Sequence, residues 1–328
     1  MTLAISNSIT FNAKWTKYNH QLQDTLMQRI SRFALYYLHK FAIKESLPSS
    51  KSSLEKIKNK RESFNLWISQ HNIDAIPIEI TTPDGIKIRG TFIKLHHCPG
   101  DAPLIIFSQP NSCISTSLTF KDIIQEAVHR YHNCNFLIYD YRGCGESEGE
   151  PLVGKDFIID GDAVYQFAVE VLKVPPEKIH MLGYSFGGGV SAQIKAMHPE
   201  CTGNYVNDRS FTTLPDVALE KFNSKVISYA AYGMMHFLGW NILNTVEALK
   251  KIKSKVLIIF HPKDPVILGI SQLYLKIPTF NNFFTINLSD RIIKNVHSIS
   301  VHGIHLKYFT NANDIGAHLE ALDFLLKK

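Results

Sequence analysis

A short glycine-flanked run in the sequence has the pattern that presents a reactive hydroxyl. Gly183-Tyr184-Ser185-Phe186-Gly187 matches Gly-x-Ser-x-Gly, in which a serine on a sharp strand-to-helix turn lifts its Oγ clear of the backbone. Gly183 and Gly187 suit this turn because residues two before and two after the serine crowd each other. The N–H of Phe186 would face a developing oxyanion. The pattern predicts a serine nucleophile; the alternative is a glycine-rich turn with an ordinary surface serine.

A serine hydroxyl needs a base and an acid from elsewhere in the chain. A histidine takes its proton, a carboxylate fixes the tautomer of that histidine, and the expected chain order is serine, acid, histidine. Asp264 is preferred as the acid because it follows a predicted strand, and ligands meet a parallel sheet at such strand ends. Asp208, after the preceding strand, is its rival. His305 is preferred as the base, and His302, which alternates as a strand residue, is its rival.

The elements that must position these residues alternate between apolar runs and helix-like segments. Several runs are apolar on both faces, as strands buried beneath helices are. The alternation indicates an α/β fold with a mostly parallel sheet and helices on both faces. A turn at Thr82-Pro83-Asp84-Gly85 joins the first two runs into a hairpin. The eight predicted strands lie at residues 75–80, 86–93, 103–107, 135–139, 178–182, 204–207, 255–260 and 298–302.

Residues 1–72 are predicted to form a helical extension, separate from a domain over residues 73–328. From Trp15 to Phe41, apolar residues recur every three or four positions, which is the period of one helix face. A second short helix is predicted over residues 63–71. Because the other face of the first helix is basic, that helix either packs on the main domain or contacts a membrane or a partner.

A small apolar cap is predicted over residues 212–250, between the two candidate acids. Tyr232, Met235, Phe237 and Trp240 could form an apolar wall for an acyl chain. The alternative is a helix of the core, since methionine and aromatic residues at helical spacing commonly fill space. The wall would favour acyl esters, thioesters or lipids as small-molecule substrates.

Four segments carry a resemblance to a known family, in the order in which that family has them. They are Tyr139–Gly149, Gly183–Gly188, Asp208–Leu214 and Val256–Val266. They resemble the α/β-hydrolase superfamily, and within it the branch of intracellular acyl hydrolases that includes protein depalmitoylases. The similarity covers about residues 75–328. It implies the α/β-hydrolase fold, and its positions for acid and base match Asp264 and His305.

The chain departs from this family in the loop after the third strand. The family has His-Gly where this chain has Ser108-Gln109. Pro110 has no N–H to donate, so the second oxyanion donor falls to Gln109 or Asn111. The departure keeps a second hypothesis open, in which the chain is a catalytically silent α/β-hydrolase that serves as a binding or interaction module. The preferred prediction is a serine esterase, thioesterase or lipase acting through an acyl-enzyme on Ser185.

Composition limits the partners and the compartment. The net charge of +6 comes without a dense basic run, so nucleic-acid binding is not expected. Five cysteines match no zinc spacing, which predicts reduced thiols and no metal site. No cofactor is expected. The N-terminus lacks the basic and apolar regions of a secretory signal. A cytoplasmic protein is expected, with peripheral membrane contact or export without such a signal left open.

Overall fold

The computed structural model describes residues 8–23, 54–71, 73–96, 98–111, 113–115, 121–130, 133–262, 264, 266–276, 283–287 and 321–326. Its strands are β1 (Ile9–Asn12), β2 (Ile73–Thr81), β3 (Lys87–Leu95), β4 (Leu104–Ser108), β5 (Asn135–Tyr139), β6 (Ile179–Tyr184), β7 (Tyr205–Asp208), β8 (Val256–Phe260) and β9 (Phe283–Asn287). The α-helices are α1 (Leu54–Ser69), α2 (Lys121–Arg130), α3 (Gly154–Glu170), α4 (Phe186–Met197), α5 (Leu214–Lys221), α6 (Lys225–Phe237) and α7 (Thr245–Leu249). Residues 321–326 are also helical.

Within the described residues, all strands join one sheet in the order β1-β2-β3-β5-β4-β6-β7-β8-β9. The β2–β3 hairpin and the β3–β5 pair are antiparallel, and the other pairs are parallel. The mostly parallel sheet predicted from the alternating runs is therefore confirmed. From β4 to β7, each strand is connected to the next in sequence by a helix (α2, α3 and α4), as parallel pairing requires.

Helices cover both faces of the sheet, and the strand residues show why. Along β4, Leu104 and Ile106 face one core cluster, whereas Ile105 and Phe107 face the other. Side chains of a strand alternate between faces, so a strand covered on both sides must be apolar at every position. The first cluster is closed by α3, α4 and the cap, and the second by α1, α2 and residues 321–326.

The N-terminal part differs from the predicted helical extension. Residues 9–12 form β1, which pairs with β2, and residues 13–23 contain only a short 3-10 turn at His20–Leu22. Helix α1 begins at Leu54 rather than at residue 63, and it buries Phe64 and Trp67 in the second core cluster. The described part of residues 1–72 is thus built into the sheet and its core. The rest of the predicted first helix lies outside the described residues.

Seven of the predicted strands appear at the expected places, β2 to β8. Two further strands, β1 and β9, occupy the two edges of the described sheet and were not predicted. The predicted strand at residues 298–302 lies outside the described residues. β9 pairs in parallel with β8.

Candidate active site

Ser185 lies on a sharp turn between β6, which ends at Tyr184, and α4, which begins at Phe186. Its backbone has φ 51° and ψ −115°, a conformation that a residue with a side chain adopts only under strain. The N–H of Ser185 donates to the carbonyl of Asp208 over 2.8 Å, and its carbonyl accepts from the N–H of Gly188 over 3.0 Å. The strained turn is therefore held from both sides.

The two glycines of the motif are required by close backbone contacts. A Cβ at Gly187 would lie 2.0 Å from the carbonyl oxygen of Ser108 and 2.6 Å from that of Gln109. A Cβ at Gly183 would lie 2.1 Å from Ser191 Oγ and 2.6 Å from the carbonyl oxygen of Gly187. The crowding expected within the turn is present, and the loop after β4 adds to it. That loop packs directly against the serine turn.

Phe186 is placed to supply one oxyanion donor. It is the first residue of α4, and N–H groups in the first turn of a helix have no acceptor one turn earlier. Its side chain is buried between Phe157 and Tyr141, with ring centroids 4.7 Å and 5.7 Å away. This packing fixes the start of the helix, and with it the direction of the N–H.

The loop after β4, which was predicted to supply the second donor, is anchored by Asp140. The side-chain amide of Gln109 donates to the carbonyl of Tyr139 and, over 3.1 Å, to Asp140 Oδ1. The other end of the loop binds the same carboxylate, because the N–H of Ser115 donates to Oδ1 over 2.5 Å and its hydroxyl to Oδ2 over 2.9 Å. Burial raises the pKa of Asp140 to about 6, although these hydrogen bonds oppose the rise. Asn111, between the two anchors, is exposed.

Asp264 lies just beyond β8 and is buried. Its Oδ1 accepts the N–H groups of Val266 and Ile267 over 2.8 Å and 3.0 Å, and its own N–H donates to the carbonyl of His261 over 3.0 Å. These bonds hold the carboxylate in one orientation. Asp264 also lines a depression at this edge of the sheet, together with Arg209, Ser210, His261, Gln272 and others.

The rival acid, Asp208, is committed to an ion pair. Its Oδ1 accepts from Arg209 Nε over 2.8 Å, and both side chains are buried. Arg209 also lies over the Tyr184 ring, 4.9 Å from its centroid. A carboxylate whose charge is already balanced by a neighbouring guanidinium is poorly placed to orient a histidine. The geometry therefore favours Asp264 over Asp208.

Strand register brings these residues to one edge of the sheet. Ser108 is level with Gly183 in the β4–β6 pair, and Tyr184 is level with Asp208 in the β6–β7 pair. Asp208 is in turn level with Ile259 near the end of β8. The loop after β4, the serine turn and the Asp264 loop consequently leave neighbouring parallel strands at the same edge, where ligands of such sheets bind.

The predicted bases lie outside the described residues. His305 and its rival His302 both follow β9, whose last residue, Asn287, is level with Phe260 of β8. The chain therefore leaves β9 at the edge that carries Ser185 and Asp264. His305 stays a prediction.

The predicted cap consists of α5, α6, a 3-10 turn at Trp240–Ile242 and α7. Its four candidate wall residues divide by burial. Tyr232 and Met235 are half-buried. Trp240 is fully buried and packs on Phe157, with 5.8 Å between ring centroids. It is therefore a core residue, as in the alternative interpretation of the cap sequence. Phe237, in contrast, is 81% exposed to solvent.

Sequence reasoning gave no individual role to Asp140 or Arg142, although both lie in a segment that carries the family resemblance. Arg142 Nε donates to Asp160 Oδ1 over 2.8 Å, and Arg142 Nη1 donates to Asp84 Oδ2 over 2.8 Å. This buried guanidinium joins the turn of the β2–β3 hairpin to α3, and thereby supports the loop after β5. The sequence signal that could have indicated a role for Asp140 and Arg142 is their position directly after the apolar strand β5.

Three further observations concern metal binding, the cysteines and membrane spanning. Among the described residues, no group of three histidine, cysteine, aspartate or glutamate side chains is arranged to hold a metal ion. None of the five cysteines forms a disulfide. In the part of the chain that the structure describes, no helix combines the length and apolar character needed to cross a bilayer.

Comparison with known sequences agrees with this geometry. A family profile described as the alpha/beta hydrolase fold matches residues 118–223. The chain is 25% identical over 224 residues to the alpha/beta hydrolase domain-containing protein WAV2 of Arabidopsis thaliana, which covers 66% of this chain and 70% of WAV2. It is 22% identical over 242 residues to the protein bem46 of Schizosaccharomyces pombe, covering 73% and 75% of the two chains.

Solved structures show the same fold. The esterase Pf2001 of Pyrococcus furiosus is similar with a TM-score of 0.55 and 17% identity, over 79% of this chain and 94% of that one. An alpha-beta hydrolase from Vibrio vulnificus has a TM-score of 0.54 and 12% identity, over 89% and 98% of the two chains. At such low identity these likenesses establish the architecture, whereas the site must be argued from the residues themselves.

Proposed function

Because the chain belongs to the α/β-hydrolase superfamily, we propose that it is a serine hydrolase that cleaves carboxylic ester or thioester bonds through an acyl-enzyme on Ser185. The observation that carries the proposal is the strained backbone of Ser185, with φ 51°, at the end of a central strand. Strain of this kind costs roughly 1–3 kcal/mol and persists where the surrounding structure enforces it, commonly at active sites. Here the hydrogen bonds of Ser185 and the glycine contacts enforce it.

In the proposed reaction, Ser185 Oγ attacks the substrate carbonyl as His305 takes the hydroxyl proton. His305 then returns that proton to the leaving alcohol or thiol, and water hydrolyses the acyl-enzyme by the same steps in reverse order. Asp264 holds the histidine tautomer. The N–H of Phe186 and a donor from Gln109 or Asn111 stabilise the oxyanion. No step requires a metal or a cofactor.

We favour acyl or lipid substrates over peptides or sugars. Support comes from the apolar cap, in which Tyr232 and Met235 are half-buried, and from solved neighbours that are esterases, such as Pf2001. An apolar pocket with few polar groups suits an acyl chain, whereas a sugar would need many hydrogen-bonding partners.

The test is labelling by a fluorophosphonate probe, with Ser185→Ala and a matched control. Ser210→Ala is the control because Ser210 lines the depression beside Asp264 and its buried hydroxyl has no hydrogen-bond partner among the described residues. We expect Ser185→Ala to abolish labelling and Ser210→Ala to keep it. Nitrophenyl esters of increasing chain length and a palmitoyl thioester then measure the acyl preference.

A silent binding module is the second candidate. It is favoured by the loop after β4. Pro110 in this loop has no N–H to donate to an oxyanion, and the side-chain amide of Gln109 already donates to Asp140. Folded wild-type protein that neither reacts with the probe nor hydrolyses any ester of the series would support this candidate and contradict the enzyme.

A further inference from the structure

Helix α6 is apolar on the side that faces away from the domain. Its inward side contains Ser228 and the half-buried Tyr232 and Met235, at helical spacing. An ordinary surface helix carries polar residues on its other side. The outward side of α6 instead exposes Val226, Ile227, Tyr229, Ala230, Gly233, Met234, His236 and Phe237.

The exposure of these side chains is large. Phe237 is 81% exposed, Val226 79% and Tyr229 66%, and Ile227 and Met234 are each about half exposed. Contiguous apolar patches of this kind on a soluble domain mark sites that contact a partner or a membrane. We call the outward residues from Val226 to Phe237 the outer face of α6.

Two lysines lie beside the start of the outer face in sequence, and the neighbouring Glu220 of α5 directs its carboxylate to Gly269 and Ile270. Lys221 ends α5, Lys225 begins α6, and both are exposed. Helix α6 contains no acidic residue. An apolar face with lysines at its border matches the composition of helices that lie in the interface of anionic membranes.

We propose that the outer face of α6 docks on anionic lipid bilayers. A protein partner fits this face less well, because protein interfaces contain roughly one hydrogen bond per 100–200 Å². The outer face offers only Tyr229 and His236 as polar side chains. A bilayer interface demands no such pairing for apolar side chains, and its anionic headgroups would contact Lys221 and Lys225.

The location of α6 makes the docking useful to the proposed hydrolase. The helix belongs to the segment between β7, which ends at Asp208, and β8, which precedes Asp264. That segment leaves the sheet at the edge carrying Ser185, after Asp208, and rejoins it at the opposite edge, where β8 begins at Val256. The docking itself does not depend on the proposed reaction, since it needs only the surface of the folded chain.

The experiment is sedimentation of the full chain with large vesicles of phosphatidylcholine alone or with about a third phosphatidylserine. The test variant is Val226→Glu, and the matched control is Leu66→Glu, which places the same change at an exposed position of α1 that is 63% exposed. We expect wild type to bind the anionic vesicles. Val226→Glu should weaken that binding about 10-fold, because it replaces an apolar side chain that would be buried in the bilayer with a negative charge that the anionic headgroups repel. Leu66→Glu should bind as wild type does.

A second arm tests the lysines and the other occupants. Lys221→Glu with Lys225→Glu should reduce binding to anionic vesicles and leave the weak binding to neutral ones unchanged. Equal binding by Val226→Glu and wild type, or no binding by folded wild type, would overturn the proposal. So would a dimer, detected by light scattering, that Val226→Glu abolishes while vesicle binding is absent. Hydrolysis of a soluble acetate ester without vesicles, measured on the same variants, separates loss of docking from failure of the enzyme hypothesis.

Discussion

At the scale of single residues, the assignment of the catalytic acid has the clearest consequence. Asp264 has its carboxylate oriented by two backbone N–H groups, whereas Asp208 neutralises the buried Arg209. The two carboxylates lie after neighbouring strands and look alike in sequence. Their partners give them different roles, and substitution by asparagine separates these roles.

We expect Asp264→Asn to lower the turnover of a nitrophenyl ester about 10³-fold or more, with an unchanged denaturation midpoint, because the histidine loses its orienting charge. His305→Ala should do the same. Asp208→Asn should instead destabilise the fold by about 3 kcal/mol or more, since it removes the charged carboxylate that pairs with a buried guanidinium. Ester hydrolysis kinetics measure the turnover of the three variants, and urea unfolding measures their stability. Full activity in Asp264→Asn together with a large kinetic loss in folded Asp208→Asn would reverse the assignment.

The glycines allow a second test at the residue scale. Gly187→Ala would place a Cβ 2.0 Å from the carbonyl oxygen of Ser108, which is backbone and cannot move aside cheaply. We expect a loss of about 2 kcal/mol or more in the free energy of unfolding, together with slower labelling of Ser185. Gly233, in the middle of α6, has nothing within 4 Å of a Cβ. Gly233→Ala should therefore stabilise the protein by about 0.5–1 kcal/mol. Equal decreases in the free energy of unfolding of both variants would contradict a specific steric clash at Gly187.

Asp140 makes stability depend on pH in a direction that can be worked out. Burial raises the pKa of this carboxyl from 3.8 to about 6 in the folded protein. Between these values the folded state binds more protons than the unfolded state, so Asp140 contributes stability at low pH that is lost as the pH rises through about 6. We expect the free energy of unfolding of wild type, minus that of Asp140→Asn, to fall by about 1–3 kcal/mol between pH 4 and pH 7.5. Urea unfolding at the two pH values measures this, and a difference that rises with pH would contradict the assigned shift.

At the scale of elements, the central strands and the serine turn could be predicted because their patterns are local. Strands β4 and β8 are apolar at successive positions, and the pentapeptide around Ser185 contains its own turn requirement. The edge strands have weaker signals. β1 is four residues long, and β9 is a five-residue segment with three apolar side chains. Their places at the sheet edges depend on pairing with β2 and β8, and pairing cannot be read from a segment by itself.

The same reasoning explains which parts of the site were missed. Gln109 and Asp140 lie 31 residues apart, and their hydrogen bond exists because β4 and β5 are neighbours in the sheet. The sequence of either segment contains no trace of this contact. Phe237, which lies on the outward side of α6, was assigned to a substrate wall for a similar reason: an apolar spacing does not show which side of a helix meets the domain.

β1 allows a test of whether the N-terminal residues belong to the sheet. Phe11 is half-buried and packs on Phe167 of α3 with 6.0 Å between ring centroids, whereas Thr10 is exposed. We expect Phe11→Asp to lower the free energy of unfolding by about 2 kcal/mol and Thr10→Asp to change it by less than about 0.5 kcal/mol. Thermal and urea unfolding measure both. Equal small effects would mean that β1 contributes little to the domain.

At the scale of the whole molecule, Arg142 connects parts of the chain that are far apart in sequence. Its guanidinium bonds Asp84 in the hairpin turn and Asp160 in α3, and its backbone N–H also donates to Asp160 over 2.8 Å. Burial alone would raise the pKa of Asp84, but the hydrogen bonds and charge of Arg142 bring it below its usual value. Burial raises the pKa of Asp160 to about 6 in spite of the same guanidinium. One cation thus offsets the charge of these two carboxylates and lies near a third, since Arg142 Nη1 is also 3.8 Å from Oδ1 of the buried Asp156.

We expect Arg142→Met to lower the free energy of unfolding by about 3–5 kcal/mol at pH 7.5, because it leaves buried charge without compensation. The matched control is Lys178→Met, which removes an exposed ion pair with Asp101, 2.6 Å long. Such surface pairs contribute at most about 1 kcal/mol. The loss in Arg142→Met should be smaller at pH 5, where Asp160 takes up a proton and needs no cation. Arg142→Lys, which keeps the charge but not the paired geometry, should recover part of the loss. If Arg142→Met and Lys178→Met were equally stable at pH 7.5, the buried pair would contribute no more than a surface pair, and the hairpin, the loop after β5 and α3 would have to be held together by apolar packing alone.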